Sequence, residues 1–221
     1  MEENGAETQL IDTASCRATA WLFDACHDHS IDPKSILRGL PHDRAYLEDH
    51  SNFIRWDSLA MLQHNLSQFL SDEELYDAAR LSWRAKGFRV HRVLGVLLYD
   101  LTDQLLATFN PHGFFAQLYP CQFTILEQHP GHLRIKMTMN PGCSPSKSFQ
   151  IILAGQIAGL KEQMGYRRTR VELVSLGASP TYNITFKPRK GLPAILKNLL
   201  IRRQSAREAA IDLTLTHDAL L

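Results

Sequence analysis

Apolar residues recur at helical spacing through the first half of the chain and switch to strict alternation after residue 120. Ala18, Trp21, Leu22 and Ala25 share one face and predict a helix over residues 13–27. Asp32-Pro33 supplies an N-cap and a proline at the first helical position, and Gly39 ends the short helix that follows. Asp57 is placed to cap a third helix whose apolar side is Leu59, Leu62, Leu66, Phe69 and Leu70. Ser71-Asp-Glu-Glu74 spells a capping box, and the helix it opens runs toward Gly87. Together these segments predict an N-terminal helical layer.

From Phe88 to Phe109 the pattern becomes almost continuously apolar, as expected of a helix buried on several sides. Asn110-Pro111 breaks it, because a residue before proline is pushed out of the helical region. Asn110 then caps a fresh helix with Pro111 at its first position and His112 in its first turn, beside Phe114 and Phe115.

Residues 121–128 alternate, and 132–139 alternate more cleanly, with Leu133, Ile135, Met137 and Met139 on one side. Around the turn His129-Pro-Gly131 they predict a half-buried antiparallel hairpin. Ser144-Pro145 opens a helix expected to reach Met164, with Gly165 as its stop. Two further strands, 170–176 and 181–186, flank Gly177-Ala-Ser-Pro180. The predicted fold class is α+β: a helical layer packed on a four-stranded antiparallel sheet of ββαββ order, followed by a coiled-coil-like helix.

That last helix rests on Leu199, Ala206, Leu213 and Leu220, which recur every seven residues. Arg203 and His217 fall on companion positions and weaken the seam. The sequence stops at Asp-Ala-Leu-Leu221 with no glycine or proline, so a dimerising helix leading into a further domain is expected. The expected division is a sensor domain over residues 1–190 and a signalling helix over 191–221.

Composition narrows the function classes. The 221 residues are 44% hydrophobic and 21% charged with a formal net charge of +1, an ordinary globular balance with no field for nucleic acid or an anionic membrane. No apolar run spans a bilayer and no secretion signal opens the chain, so a cytoplasmic protein is expected. Cys16, Cys26, Cys121 and Cys143 form no paired motif. His27 with His29, and His42 with His50, lack metal-binding spacing to acids or cysteines. No phosphate loop, dinucleotide fingerprint or nucleophile elbow is present, and an enzyme is the least supported class.

The order of elements from about residue 88 to 186 resembles the haem–nitric-oxide/oxygen-binding (H-NOX) domains and the 4-vinyl-reductase-like sensors. In haem-binding members the proximal ligand is a histidine in a short helix, followed seven residues later by Tyr-Pro; His112 and Tyr119-Pro120 match that spacing. The helix with Gly155 and Gly159 looks like the one that packs on the sheet in those families, its small residues allowing close approach. The segment Ile31–Leu37 also looks like the N-terminal sensory segments of bacterial histidine kinases and some AraC-type regulators. One departure is decisive for the ligand. Haem-binding members anchor the propionates with Tyr-x-Ser-x-Arg on the second strand, and those positions fall here on Ile135, Met137 and Met139. The resemblance therefore implies the fold without conventional haem binding.

A pocket between helical layer and sheet is then expected to be lined by Leu98, Leu101, Leu105, Phe109, Phe115, Ile135, Met137, Met139 and Ile152. Methionine and phenylalanine make an adaptable apolar surface suited to fatty acyl or aromatic ligands. The sequence thus points to a non-enzymatic sensor for a small apolar molecule, without cofactor, signalling through a homodimeric C-terminal helix. Two alternatives stand beside it: a haem-based gas sensor using His112, and a ligand-free dimerisation scaffold.

Overall fold

A computed structural model describes residues 13–84, 108–109, 113–163 and 170–186. The chain begins with β1 (Thr13–Ser15), which pairs antiparallel with β2 (Phe53–Arg55). A 3-10 turn, Cys16–Ala18, leads into α1 (Ala20–Asp28). The helix predicted from residue 13 therefore starts seven residues late. Pairing with β2 draws Thr13–Ser15 into extended backbone, a long-range demand that local periodicity does not carry. The predicted face survives: Ala18, Trp21, Leu22 and Ala25 are all buried.

Asp32 caps α2 (Pro33–Ile36) by accepting a bond from Lys34 N–H, and Gly39 follows at φ +81°. Asn65 donates to the carbonyls of Ile36 and Arg38, satisfying the end of that helix. After α3 (Arg44–Glu48) comes α4 (Trp56–Ser67). Its N-cap is Arg55, with Asp57 inside the first turn, so the predicted cap is displaced by the β2 pairing that fixes Arg55 as extended. Leu59, Leu62, Leu66 and Leu70 are buried as expected, whereas Phe69 is exposed beyond the helix end. The capping box at Ser71 and Glu74 is formed in both directions and opens α5 (Asp72–Leu81).

The short helix α6 (Phe114–Leu118) has Gly113 as its N-cap; the predicted cap Asn110 lies outside the described residues. It feeds β3 (Cys121–His129), which turns at Pro130-Gly131 into β4 (His132–Met139). Helix α7 (Lys147–Gln163) crosses to β5 (Arg170–Ser175) and β6 (Thr181–Thr185). The sheet order is β3-β4-β6-β5, every pair antiparallel. Register keeps one apolar face continuous: Phe123 opposes Met137, Ile135 opposes Tyr182, and Leu133 and Val171 both pair with Ile184. A bulge between Ile125 and Glu127 interrupts the β3–β4 ladder, and Leu126 within it is exposed.

Helix α7 packs on both α5 and β5, and it is buried on nearly every side from Phe149 to Leu160. Its glycines serve the helical layer. A Cβ on Gly155 would strike the Tyr76 carbonyl, and one on Gly159 would strike the Arg80 carbonyl and lie 2.8 Å from Trp83 Cδ1. The close approach is thus between α7 and α5, where backbone meets backbone, and not between α7 and the sheet as the sequence led one to expect. Lys147 Nζ to Asp72 Oδ2 at 2.6 Å, and Trp56 Nε1 donating to the Ser144 carbonyl at 3.0 Å, tie the start of α7 to the same layer.

Candidate ligand site at the helix–sheet junction

The inner face of β4 carries Ile135, Met137 and Met139, and all three are buried. Phe109, which is helical, joins Phe115 and Ile152 in the same core cluster. Six of the nine predicted lining residues are thus buried in one core. Leu98, Leu101 and Leu105 lie outside the described residues, as do Asn110, Pro111 and His112.

Aromatic rings hold this region together. Phe115 stacks on Phe109 at 5.8 Å between centroids and on Tyr119 at 6.3 Å. Phe109 and Phe115 both lean on Phe123 of the sheet, while Tyr119 meets Phe149 of α7 edge-on at 5.1 Å. Trp83 closes the cluster against Phe114 and Phe115. The rings come from α6 and its C-cap, from β3, from α7 and from the segment after α5, so the cluster fixes where α6 sits between sheet and helical layer.

A polar thread runs through these rings. Tyr119 Oη donates to Gln156 Oε1 at 2.8 Å, and Trp83 Nε1 donates to the Gln156 carbonyl at 2.6 Å. Gln156 Nε2, fully buried, meets no hydrogen-bond partner among the described residues. Such a donor is costly in an apolar core and is satisfied when a ligand or water supplies an acceptor. Sequence reasoning passed over Gln156, although one glutamine amid Ile151–Leu160 was a legible signal. Burial pushes the Tyr119 and Tyr182 phenols and the Cys121 thiol well above their ordinary ranges. All three stay protonated at neutral pH, so the junction offers no nucleophile or base among them.

The described residues do not fit the carboxylates of a haem. At the three strand positions that would clamp them stand Ile135, Met137 and Met139, which offer no donor. Arg134 lies on the alternate face of β4, where its Nη1 bonds Glu127 Oε1 at 3.1 Å. Among the described residues no group of three histidine, cysteine or acidic side chains is placed to hold a metal ion, and no helix is long and apolar enough to cross a membrane.

No protein-family model matches the chain, and no curated protein matches it. Solved structures do. An H-NOX protein from a study of haem distortion superimposes with a TM-score of 0.58 at 13% identity, over 81% of this chain and 98% of its own. The chain has the H-NOX fold. An oxygen-binding H-NOX domain related to soluble guanylate cyclases, in its oxygen complex, gives 0.55 at 12% identity, over 79% of this chain and 96% of its own. The Fe(II) unliganded H-NOX protein from K. algicida gives 0.54 at 12% identity, over 81% and 99%. The match spans almost the whole of each H-NOX chain and about four-fifths of this one.

Proposed function

We propose that this chain is a non-enzymatic sensor domain whose ligand occupies the junction between helical layer and sheet. The observation that carries it is the H-NOX fold extending over about four-fifths of the chain. Haem sensing a diatomic gas is the ligand that the neighbours support, since one is described by its haem, one by its oxygen complex and one by its iron state. On this reading His112 is the iron ligand, and the apolar strand positions leave the haem without a carboxylate clamp.

A second reading is favoured by one specific observation. Ile135, Met137 and Met139 put apolar side chains at the clamp positions, buried in the same core as Phe109, Phe115 and Ile152. Such surroundings suit a fatty acyl or aromatic molecule whose polar end meets Gln156 Nε2. On either reading, binding must favour one arrangement of helical layer over sheet, since only differential affinity shifts a population.

Absorbance of protein produced with haem precursor separates the two. A Soret band that His112→Ala abolishes assigns haem; a colourless protein that takes up haem under no condition removes that reading. The proposal extends to residues 191–221 as a parallel dimerising helix carrying the signal to an output domain, its heptad being Leu199, Ala206, Leu213 and Leu220. Light scattering is expected to find a dimer that becomes a monomer on truncation before Gly191. An equal mass per particle in both forms would refute it.

A further inference from the structure

The outer face of the sheet carries a pair of side chains that shares nothing with the junction. Pro130-Gly131 joins β3 to β4, and the residues on either side of that turn, His129 and His132, stand directly opposite each other in the ladder. Cross-strand partners carry their side chains on the same face, with Cβ atoms about 4.5–5.5 Å apart. The two imidazoles meet there, their ring centroids 6.4 Å apart and their planes 21° from parallel. His132 lies two residues before Arg134, so both rings stand on the face away from Ile135.

The turn that presents them is braced. Gly131 takes φ +83°, as a turn with proline at its second position and glycine at its third requires. Its carbonyl accepts from Phe186 N–H at 2.8 Å, and His132 is paired in turn with Thr185 of β6. A third strand therefore holds the backbone that carries the rings, which lowers the ordering cost when a ligand joins them. Both are within reach of solvent, His129 exposed and His132 half-buried. Among the described residues neither ring is engaged by a hydrogen bond or an ion pair.

Two imidazoles facing solvent make half a coordination shell. Metal–nitrogen bonds of about 2.0–2.1 Å set the centres of two adjacent imidazole ligands about 4.5–5.5 Å apart, so side-chain rotation that closes the gap by about 1–2 Å completes a chelate. Imidazole suits copper, nickel and zinc, and affinity at a nitrogen site peaks at copper(II), whose tetragonal geometry leaves the other positions to water. The surrounding charge permits a cation. Glu127 and Arg134 on the same face neutralise each other at 3.1 Å, and Arg170 stands beyond Thr185 on β5. His27 and His29 offer no equal site, since residues two apart at a helix end do not face each other.

We propose that His129 and His132 form a two-point chelate for a divalent transition-metal ion, with copper(II) bound most tightly. The site is open and exchangeable, unlike the closed four-ligand shell of a structural zinc. This inference does not depend on what fills the junction.

The test adds copper(II) in small steps, well below one equivalent, to the full chain and follows its backbone signals by nitrogen-resolved NMR. The paramagnetic ion is expected to broaden His129, Gly131, His132 and Thr185 first. His129→Asn and His132→Asn, both at solvent-reachable positions, should each weaken copper binding at least about tenfold, because the second imidazole acts at high effective concentration once the first is bound. His27→Asn should leave the affinity unchanged, and zinc should compete for the same signals more weakly. Unshifted signals from Ile135 and Tyr182 in the variants show that the sheet is intact. Broadening that begins at any other histidine, or unchanged affinity in either His129→Asn or His132→Asn, would overturn the proposal.

Discussion

Burial holds the thiols of Cys16 and Cys26 protonated, each pushed up from the ordinary 9.0 to about 11, with desolvation as the first cause in both. The folded state keeps these protons longer than the unfolded chain does. Their contribution to stability is complete below pH 9 and is lost as pH rises toward 11. Cys121, Tyr119 and Tyr182 are raised further and extend the loss in the same direction. Denaturation midpoints measured across this window should fall steadily, and the Cys16→Ala/Cys26→Ala variant should fall less. An equally steep decline in the variant would show that these thiols are not the titrating groups. At this scale the sequence was informative about burial and poor about partners. Alternation announced Ile135, Met137 and Met139 as an inward row, yet nothing local told which side chains would meet Tyr119 or leave Gln156 Nε2 alone.

Between elements, the contact of α7 with α5 is the tightest in the molecule's described part for which a substitution makes a clear forecast. Gly159→Ala puts a methyl group against the Arg80 carbonyl and Trp83 Cδ1, where backbone cannot yield as a flexible side chain would. It is expected to destabilise by about 1–3 kcal/mol, the range for overpacking, despite alanine's better helix propensity. Urea denaturation measures this directly, and an unchanged or higher midpoint would contradict the geometry. The glycine pair itself was visible in the sequence. Its partner was not: the same small-residue spacing suits a sheet or a helix, and only the assembled structure shows α5 there. The capping box at Ser71 and the β3–β4 hairpin came through because each is closed by residues near in sequence. The late start of α1 and the Arg55 cap of α4 did not, because both are set by the pairing of β1 with β2 about forty residues apart.

For the whole molecule, the order of helical layer, short aromatic helix and ββαββ sheet was legible, and superposition on H-NOX chains bears it out. The concavity between α1 and α5 was not, since Trp21 and Ser82 come from segments that read as ordinary amphipathic helix and join Asp24 and Glu73 along its lining only in three dimensions. Native mass spectrometry of the purified chain asks most directly whether the junction holds a ligand. An occupied junction gives a mass above that of the polypeptide, released on denaturation, equal either to haem or to a fatty acyl or aromatic molecule. A chain found at its polypeptide mass alone, which afterwards takes up neither haem nor a fatty acid, would contradict an occupied junction and leave a scaffold of the same fold.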